Sequence, residues 1–461
     1  MMKMNNIYKI ALVGLLTISG ACTTGDLEPS TEQNKPVEGG IATVGNLEGV
    51  LKGAYSRMTG SGYYGRDYIV TNEVRTDNCF SNGNSGRFTT QASFTYDANT
   101  GYFWDDAYRV IASANIIIGQ DISVLTGDLD YAAHLQGQAY AMRALAHFDL
   151  VKQYGQQHAG GTLGVPYVTE FKGDDLFPAR NTVEENKANI YADLEMAFQL
   201  MQDAYFDDSR EFMSKYSAKA LESRVAVYFE DWNRAVSASE AVINSGLYSI
   251  LPANSYVSSW SSTGNANSIF ELAFNPADNL GSNSLGFIYK TGIDANGDPI
   301  GSYGDVQVID EVIDIFDDAD VRKDILGYEG TLLRNLGKYP NLQGFDNVVL
   351  IRYEEVILNY AEALFETGGD ALTEINKIAT NRGLPAYASV TKDIILDERR
   401  KELMFEGFRF DDLMRTGMDI EKYSLQQNFA ATIPYGDFRL AFPVPTAELN
   451  ANSNMVQNDG Y

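Results

Sequence analysis

The chain has almost no histidine, cysteine or tryptophan: its 461 residues include 3 His, 2 Cys and 3 Trp. Scarce histidine removes the commonest general base and metal ligand from most of the sequence. His134, His147 and His158 lie 13 and 11 residues apart, spacings that do not converge on one helical face, so no zinc site is expected. So few thiols exclude a disulfide framework, and stability must come from packing. Cys79 could act as a nucleophile only if the fold brought one of those histidines beside it.

Basic residues are short as well. There are 35 Lys and Arg against 62 Asp and Glu, a formal charge of −27. Such a field repels a nucleic-acid backbone and an anionic bilayer surface, so no nucleic-acid partner is expected. No apolar run reaches the roughly 20 residues that span a bilayer. Ile10 to Ile18 instead follows Lys3 and Lys9 and precedes the small residues Ser19, Gly20 and Ala21, the pattern of an export signal over residues 1–21. Cys22 comes next. The junction resembles the lipobox of bacterial lipoproteins, in which the cysteine is acylated and anchors the protein without a transmembrane helix. Ser19 stands where that pattern usually has Leu, and ordinary cleavage near Ala21 is the alternative. Residues 22–42 are polar and rich in Gly, Pro and acid, the composition of a flexible tether, and 43–461 reads as a single domain.

What the chain does have is helical periodicity and a 44% hydrophobic composition, enough for a large core. Helices are expected over Val44 to Met58, from Trp104 to Ile118, from Ala132 to Tyr154, from Thr182 to Met201, and from Ser217 to Gly246 with a break at Asp231-Trp232. Leu350 to Gly383 reads as a helix pair divided at Gly368-Gly369, 34 residues long, the length of a tetratricopeptide unit. Ser214 to Leu247 reads the same way.

Two regions, about 60–104 and about 248–348, lack helical spacing and are rich in Gly, Asn, Asp and aromatic residues. Long irregular stretches in a compact domain are usually functional loops. Rings beside amides and guanidinium groups suit a saccharide, whose C–H faces meet a ring while its hydroxyls seek planar polar partners. The plainer reading is that the rings fill the underside of the loops. Asp294, Asn296, Asp298 and Asp305 occupy positions of a calcium-loop pattern, but Pro299 replaces the required Gly, and a turn with solvated acids is the expectation.

Ile394 to Gly417 places Arg399, Glu402 and Glu406 on the same stripe as Ile395, Leu403, Phe410 and Leu413, interrupted by Gly407. Glu402 and Glu406, one turn apart, suggest a carboxylate pair for acid–base chemistry. Pairing of Arg399 with Glu402 and of Glu406 with Arg409 would instead make an ion-pair knot that docks helices. The flanking arginines would keep both carboxylates ionised, leaving no general acid, so the docking role is expected.

Three blocks then carry a family resemblance: IRYEEVILNYAEALFETG with INKIATNRGLP (Ile351 to Pro385), LDERRKELMFEGFRFDDLMRTG (Leu396 to Gly417), and LAFPVPTAELNANSNMVQNDGY (Leu440 to Tyr461). With AYAMRALAHFDLVKQYG and the lipoprotein start, the chain resembles the SusD/RagB-like outer-membrane lipoproteins, differing at Asp459 where Pro is common. The resemblance implies a mainly α fold of about four tetratricopeptide-like helix pairs carrying an irregular ligand-binding portion. It implies a lipid-anchored outer-membrane protein facing the cell exterior, which binds a nutrient oligosaccharide, or a peptide in some relatives. That ligand passes to a SusC-like TonB-dependent transporter, which the protein covers as a lid. No catalysis, cofactor or metal is implied. Binding residues vary in this family, so the ligand-binding candidates are chosen by chemistry: Tyr63, Tyr64, Asn78, Phe80 and Arg87 from the first region, Tyr289 and Tyr303 from the second. A glycoside hydrolase using Glu402 and Glu406 is the distant alternative.

Overall fold

Thr43 starts the fold by reciprocal capping: its hydroxyl accepts from Asn46 N while the Asn46 side chain accepts from Thr43 N. The structure, a computed structural model, describes residues 40–172, 176–291 and 301–461. Cys22, nearly all of the expected tether, and Asp294, Asn296 and Asp298 lie outside the described residues.

The longer helices are α1 (Val44–Met58), α2 (Asp67–Val74), α3 (Trp104–Ile118), α4 (Leu129–Tyr154), α5 (Val183–Leu200), α6 (Lys215–Tyr228), α7 (Trp232–Ile243), α8 (Tyr353–Thr367), α9 (Ala371–Asn381), α10 (Lys392–Leu403) and α11 (Arg409–Arg415). α1 packs on α3, and from α3 to α9 each helix packs on the next in chain order. The result is a mainly α array of hairpins in which each pair buries its apolar face on its neighbours. The pairs expected around Ser214 to Leu247 and Leu350 to Gly383 are α6/α7 and α8/α9. Small residues allow the close approach of α4 to the end of α5: a Cβ on Gly137 would sit 2.7 Å from Met201 Cγ.

Among the described residues six short strands form three antiparallel pairs, β1 (Cys79–Ser81) with β3 (Val306–Val308), β2 (Ser268–Leu272) with β6 (Val348–Arg352), and β4 (Leu326–Glu329) with β5 (Leu332–Asn335). The first pair joins segments far apart in the chain. Its register, Phe80 opposite Gln307, ties the two irregular regions together.

Two expectations change. α2 lies in a region that lacks helical spacing, because Tyr68 through Val74 are all buried and a helix without a wet face has no stripe to detect. The 394–417 stretch is two helices, α10 and α11, parted where Phe405 and Gly407 take φ of 70° and 83°. Gly407 needs that left-handed backbone, and its N–H donates to Glu73 Oε1 on α2 at 2.8 Å.

The ion-pair knot exists, but its partners come from far along the chain. Glu402 accepts from Arg352 Nη1 at 2.6 Å and from Arg382 Nη2 and Nε at 2.8 and 2.9 Å, with Arg322 Nη1 at 3.4 Å. Glu406 pairs with Lys338 at 2.6 Å and with Arg352 at 2.9 Å. Arg399 turns instead to Asp412 and Asn359, and Arg409 to Asp77. Local spacing suggested the wrong pairs because helix docking brings longer guanidinium arms in from β6, from the end of α9 and from the segment around Arg322. Burial alone would raise Glu402, but Arg382 and Arg352 outweigh it and hold the carboxyl well below its usual range.

All three histidines serve the scaffold. His147 Nδ1–H donates to Arg143 O while Nε2 accepts from Val168 N, His134 Nδ1 accepts from Gln202 N, and His158 bonds Tyr228. Burial holds His147 down at about 3 and His134 and His158 at about 4. A buried neutral histidine contributes stability that is complete above the unfolded pKa of about 6.5 and is lost as pH falls toward the folded value. Calorimetric scans should therefore show the melting temperature declining on acidification through this range, with a shallower decline in His147→Gln. Glu73, pushed up to about 7 chiefly by burial, contributes the opposite slope and only partly offsets three histidines.

Candidate functional site

The loop after β1 runs SNGNSGR, and Gly83 and Gly86 take φ of 70° and 80°, a turn only glycine enters without strain. That turn lays the loop against residues 303–305. Asn82 Nδ2 donates to Gly304 O and Asn84 Nδ2 to Tyr303 O, both at 2.8 Å. Ser85 gives Asp305 its N–H at 2.7 Å and its hydroxyl at 2.6 Å. The Asp305 carboxylate is thus committed to the loop, which accounts for its place in the sequence without a calcium ion.

On this frame Arg87 lies over the Tyr303 ring, its guanidinium carbon 4.1 Å from the centroid, and Phe287 meets the same ring edge-on at 5.0 Å. Arg87 Nη1 donates to Ser85 Oγ at 2.7 Å. Arg87, Tyr303 and Phe287 are all half-buried. Among the described residues, Arg87 Nε and Nη2, the Tyr303 hydroxyl and Asn84 Oδ1 make no hydrogen bond. The surface therefore offers rings, planar donors and an amide acceptor, already held in place by bonds between the two regions.

Four candidates lie elsewhere. Tyr63 and Tyr64 are buried beside Tyr68, and all three hydroxyls donate to the Asp149 carboxylate, at 2.6, 2.5 and 2.8 Å. Burial and the Asp149 charge push all three phenols well up. Asn78 is buried and accepts from Arg400 Nε at 2.8 Å. Tyr289 is buried against Phe405. These four side chains face inward, as core and docking groups, because the neighbouring helices close over them. Phe80 is half-buried and packs against the core, leaving part of its ring at the surface. Tyr64→Ala should accordingly lower the melting temperature, by about 3–5 kcal/mol of stability, while folded molecules keep their ligand affinity; scanning calorimetry and titration on one preparation check both.

Phe287, Asn82 and Asn84 are additions. The Asn-Gly turn preceding Arg87 was the readable signal for the asparagines, whereas nothing in the spacing singles out Phe287 from the other rings. Cys79 is buried and its thiol is pushed well up by burial, so it is no nucleophile. Glu402 and Glu406 are enclosed by cations and closed to solvent, so neither can reach a glycosidic oxygen.

Residues 335–461 match the model of the SusD family, and residues 26–227 match a model described as starch-binding, associating with outer membrane. SusD-like protein P2 of Formosa agariphila is 25% identical over 98% of this chain and 99% of its own length. The starch-binding protein SusD of Bacteroides thetaiotaomicron is 34% identical over 25% of this chain and 22% of its own. The crystal structure of a SusD superfamily protein from Bacteroides vulgatus superposes with a TM-score of 0.81 at 29% identity, covering 91% of this chain and 100% of that one.

Proposed function

The chain belongs to the SusD/RagB-like family, and from that premise we propose that it binds nutrient oligosaccharides at the outer membrane and delivers them to a SusC-like TonB-dependent transporter, over which it acts as a lid. The observation that carries the reading is the joined surface of Arg87, Tyr303 and Phe287 with its uncommitted donors. A sugar ring can lie against the aromatic carbons while Arg87 and Asn84 take up its hydroxyls. Because the loops are already cross-linked, little ordering entropy opposes binding. Arg87 is also the group that would favour an oligopeptide, through a carboxylate, but the neutral amides and rings around it fit hydroxyls better.

The ligand leaves unchanged in this reading, with no catalytic step. Anchoring rests on acylation of Cys22, with residues 22–42 as the tether and the protein outside the cell; among the described residues no helix is long and apolar enough to cross a membrane. Labelled fatty acid fed to the producing bacterium should enter the chain and be lost in Cys22→Ala. Affinity purification from detergent-extracted outer membranes should bring down a barrel transporter. Recovery of a fully soluble, unacylated chain without such a partner would overturn the anchoring and delivery parts of the reading.

A further inference from the structure

A second cleft, of about 480 Å³, lies between the 260–276 and 340–347 segments. That volume falls within the roughly 300–1,000 Å³ usual for small-ligand sites. Trp260, Phe274 and Phe345 give it aromatic walls, and its remaining lining is dominated by amides, hydroxyls and Asp346. None of these belongs to the Arg87–Tyr303 surface.

Three of its polar side chains are held in place with bonding capacity to spare. Asn275 uses only its oxygen, accepting from Ala277 N and Asp278 N at 2.8 and 2.9 Å. Asn341 likewise uses only its oxygen, accepting from Gln343 N and Gly344 N at 2.7 and 3.1 Å. Among the described residues both carboxamide NH₂ groups have no partner, and each amide is held in orientation by two backbone bonds. Asp346 Oδ2 takes Asn341 N at 2.6 Å, which leaves Oδ1 to accept. Trp260 keeps 8% of its surface exposed at the cleft wall, while its indole nitrogen is closed to solvent. Phe345 is half-buried and packs in none of the hydrophobic clusters.

We propose that this cleft is a second binding site for a neutral oligosaccharide, in which Phe345 and Phe274 meet the ring faces beside Trp260 while Asn275 and Asn341 donate to hydroxyls and Asp346 accepts from them. A phosphorylated or carboxylated ligand is disfavoured, since among the described residues no cation lines the cleft and Asp346 would repel it. The site shares the ligand class of the proposed function but none of its residues, so each can fail alone.

The chain's three tryptophans make the test direct. In full-length protein labelled with fluorotryptophan, the Trp260 resonance is assigned by its loss in Trp260→Phe. The protein is then titrated with neutral hexasaccharides of glucose, xylose, mannose and galactose in α and β linkages. At least one should shift the Trp260 resonance saturably. The shift should persist in Arg87→Ala/Tyr303→Ala and weaken roughly tenfold or more in Asn275→Ala/Asn341→Ala, with circular dichroism unchanged. The proposal is overturned if no hexasaccharide shifts the resonance, if the shift vanishes with Arg87 and Tyr303, or if the asparagine variant binds as the parent does. Failure of the Arg87–Tyr303 reading would look different: calorimetric binding indifferent to those two residues.

Discussion

Glu402→Gln is expected to lower folding stability by about 3–5 kcal/mol, the cost of breaking a buried pair from one side. The urea midpoint should fall with the slope unchanged. The reason lies in what stays behind. Arg352, Arg382 and Arg322 are themselves buried, and an amide would leave their charges facing a neutral group where water cannot reach. The pH dependence follows from the same geometry. Because Glu402 is held well below its ordinary value, its contribution is present above the unfolded carboxyl pKa and disappears as pH falls through the folded one. Glu362, brought down to about 2 by Arg415 and Arg399 against the effect of burial, behaves alike. Glu402→Gln should therefore lie closest to the parent in strong acid and furthest from it at neutral pH. Ligand affinity of the folded fraction should not change, since the knot and the Arg87–Tyr303 surface share no residue.

The converse variant is Arg87→Ala/Tyr303→Ala. Removing the ring and the guanidinium together should weaken oligosaccharide binding at this surface at least tenfold, about 1.4 kcal/mol, and leave the cleft beside Trp260 unaffected. Stacking on one ring is worth about 0.5–1.5 kcal/mol, and a charge-assisted bond to a hydroxyl contributes a similar amount or more. Both side chains are half-buried at the surface, so the melting temperature should hardly move. Loss of affinity with retained stability would be the reverse of Tyr64→Ala.

These opposed pairs show where sequence reasoning reached. Periodic helices such as α1, α3 and α5 were legible because each keeps one wet face, and the caps at Thr43 and Thr182 mark the starts of α1 and α5. α2 was not, since it is buried all round and carries no period. The ion-pair knot was legible as a problem of charges on an apolar stripe, yet its partners were not. Arg352 and Arg382 reach Glu402 only through the docking of β6 and α9 against α10, a contact absent from local spacing. The recognition surface divides in the same way. Composition pointed to the two aromatic regions, and β1–β3 pairing joined them. Which rings faced out depended on a carboxylate, Asp149, far along α4, that draws Tyr63, Tyr64 and Tyr68 inward.

The most direct measurement is isothermal titration of the purified protein and of Tyr303→Ala with neutral oligosaccharides and, in parallel, oligopeptides. The account predicts saturable binding of at least one oligosaccharide, weakened about two- to tenfold in Tyr303→Ala at unchanged melting temperature. Binding of peptides alone, or oligosaccharide binding of equal strength in the variant, would contradict it.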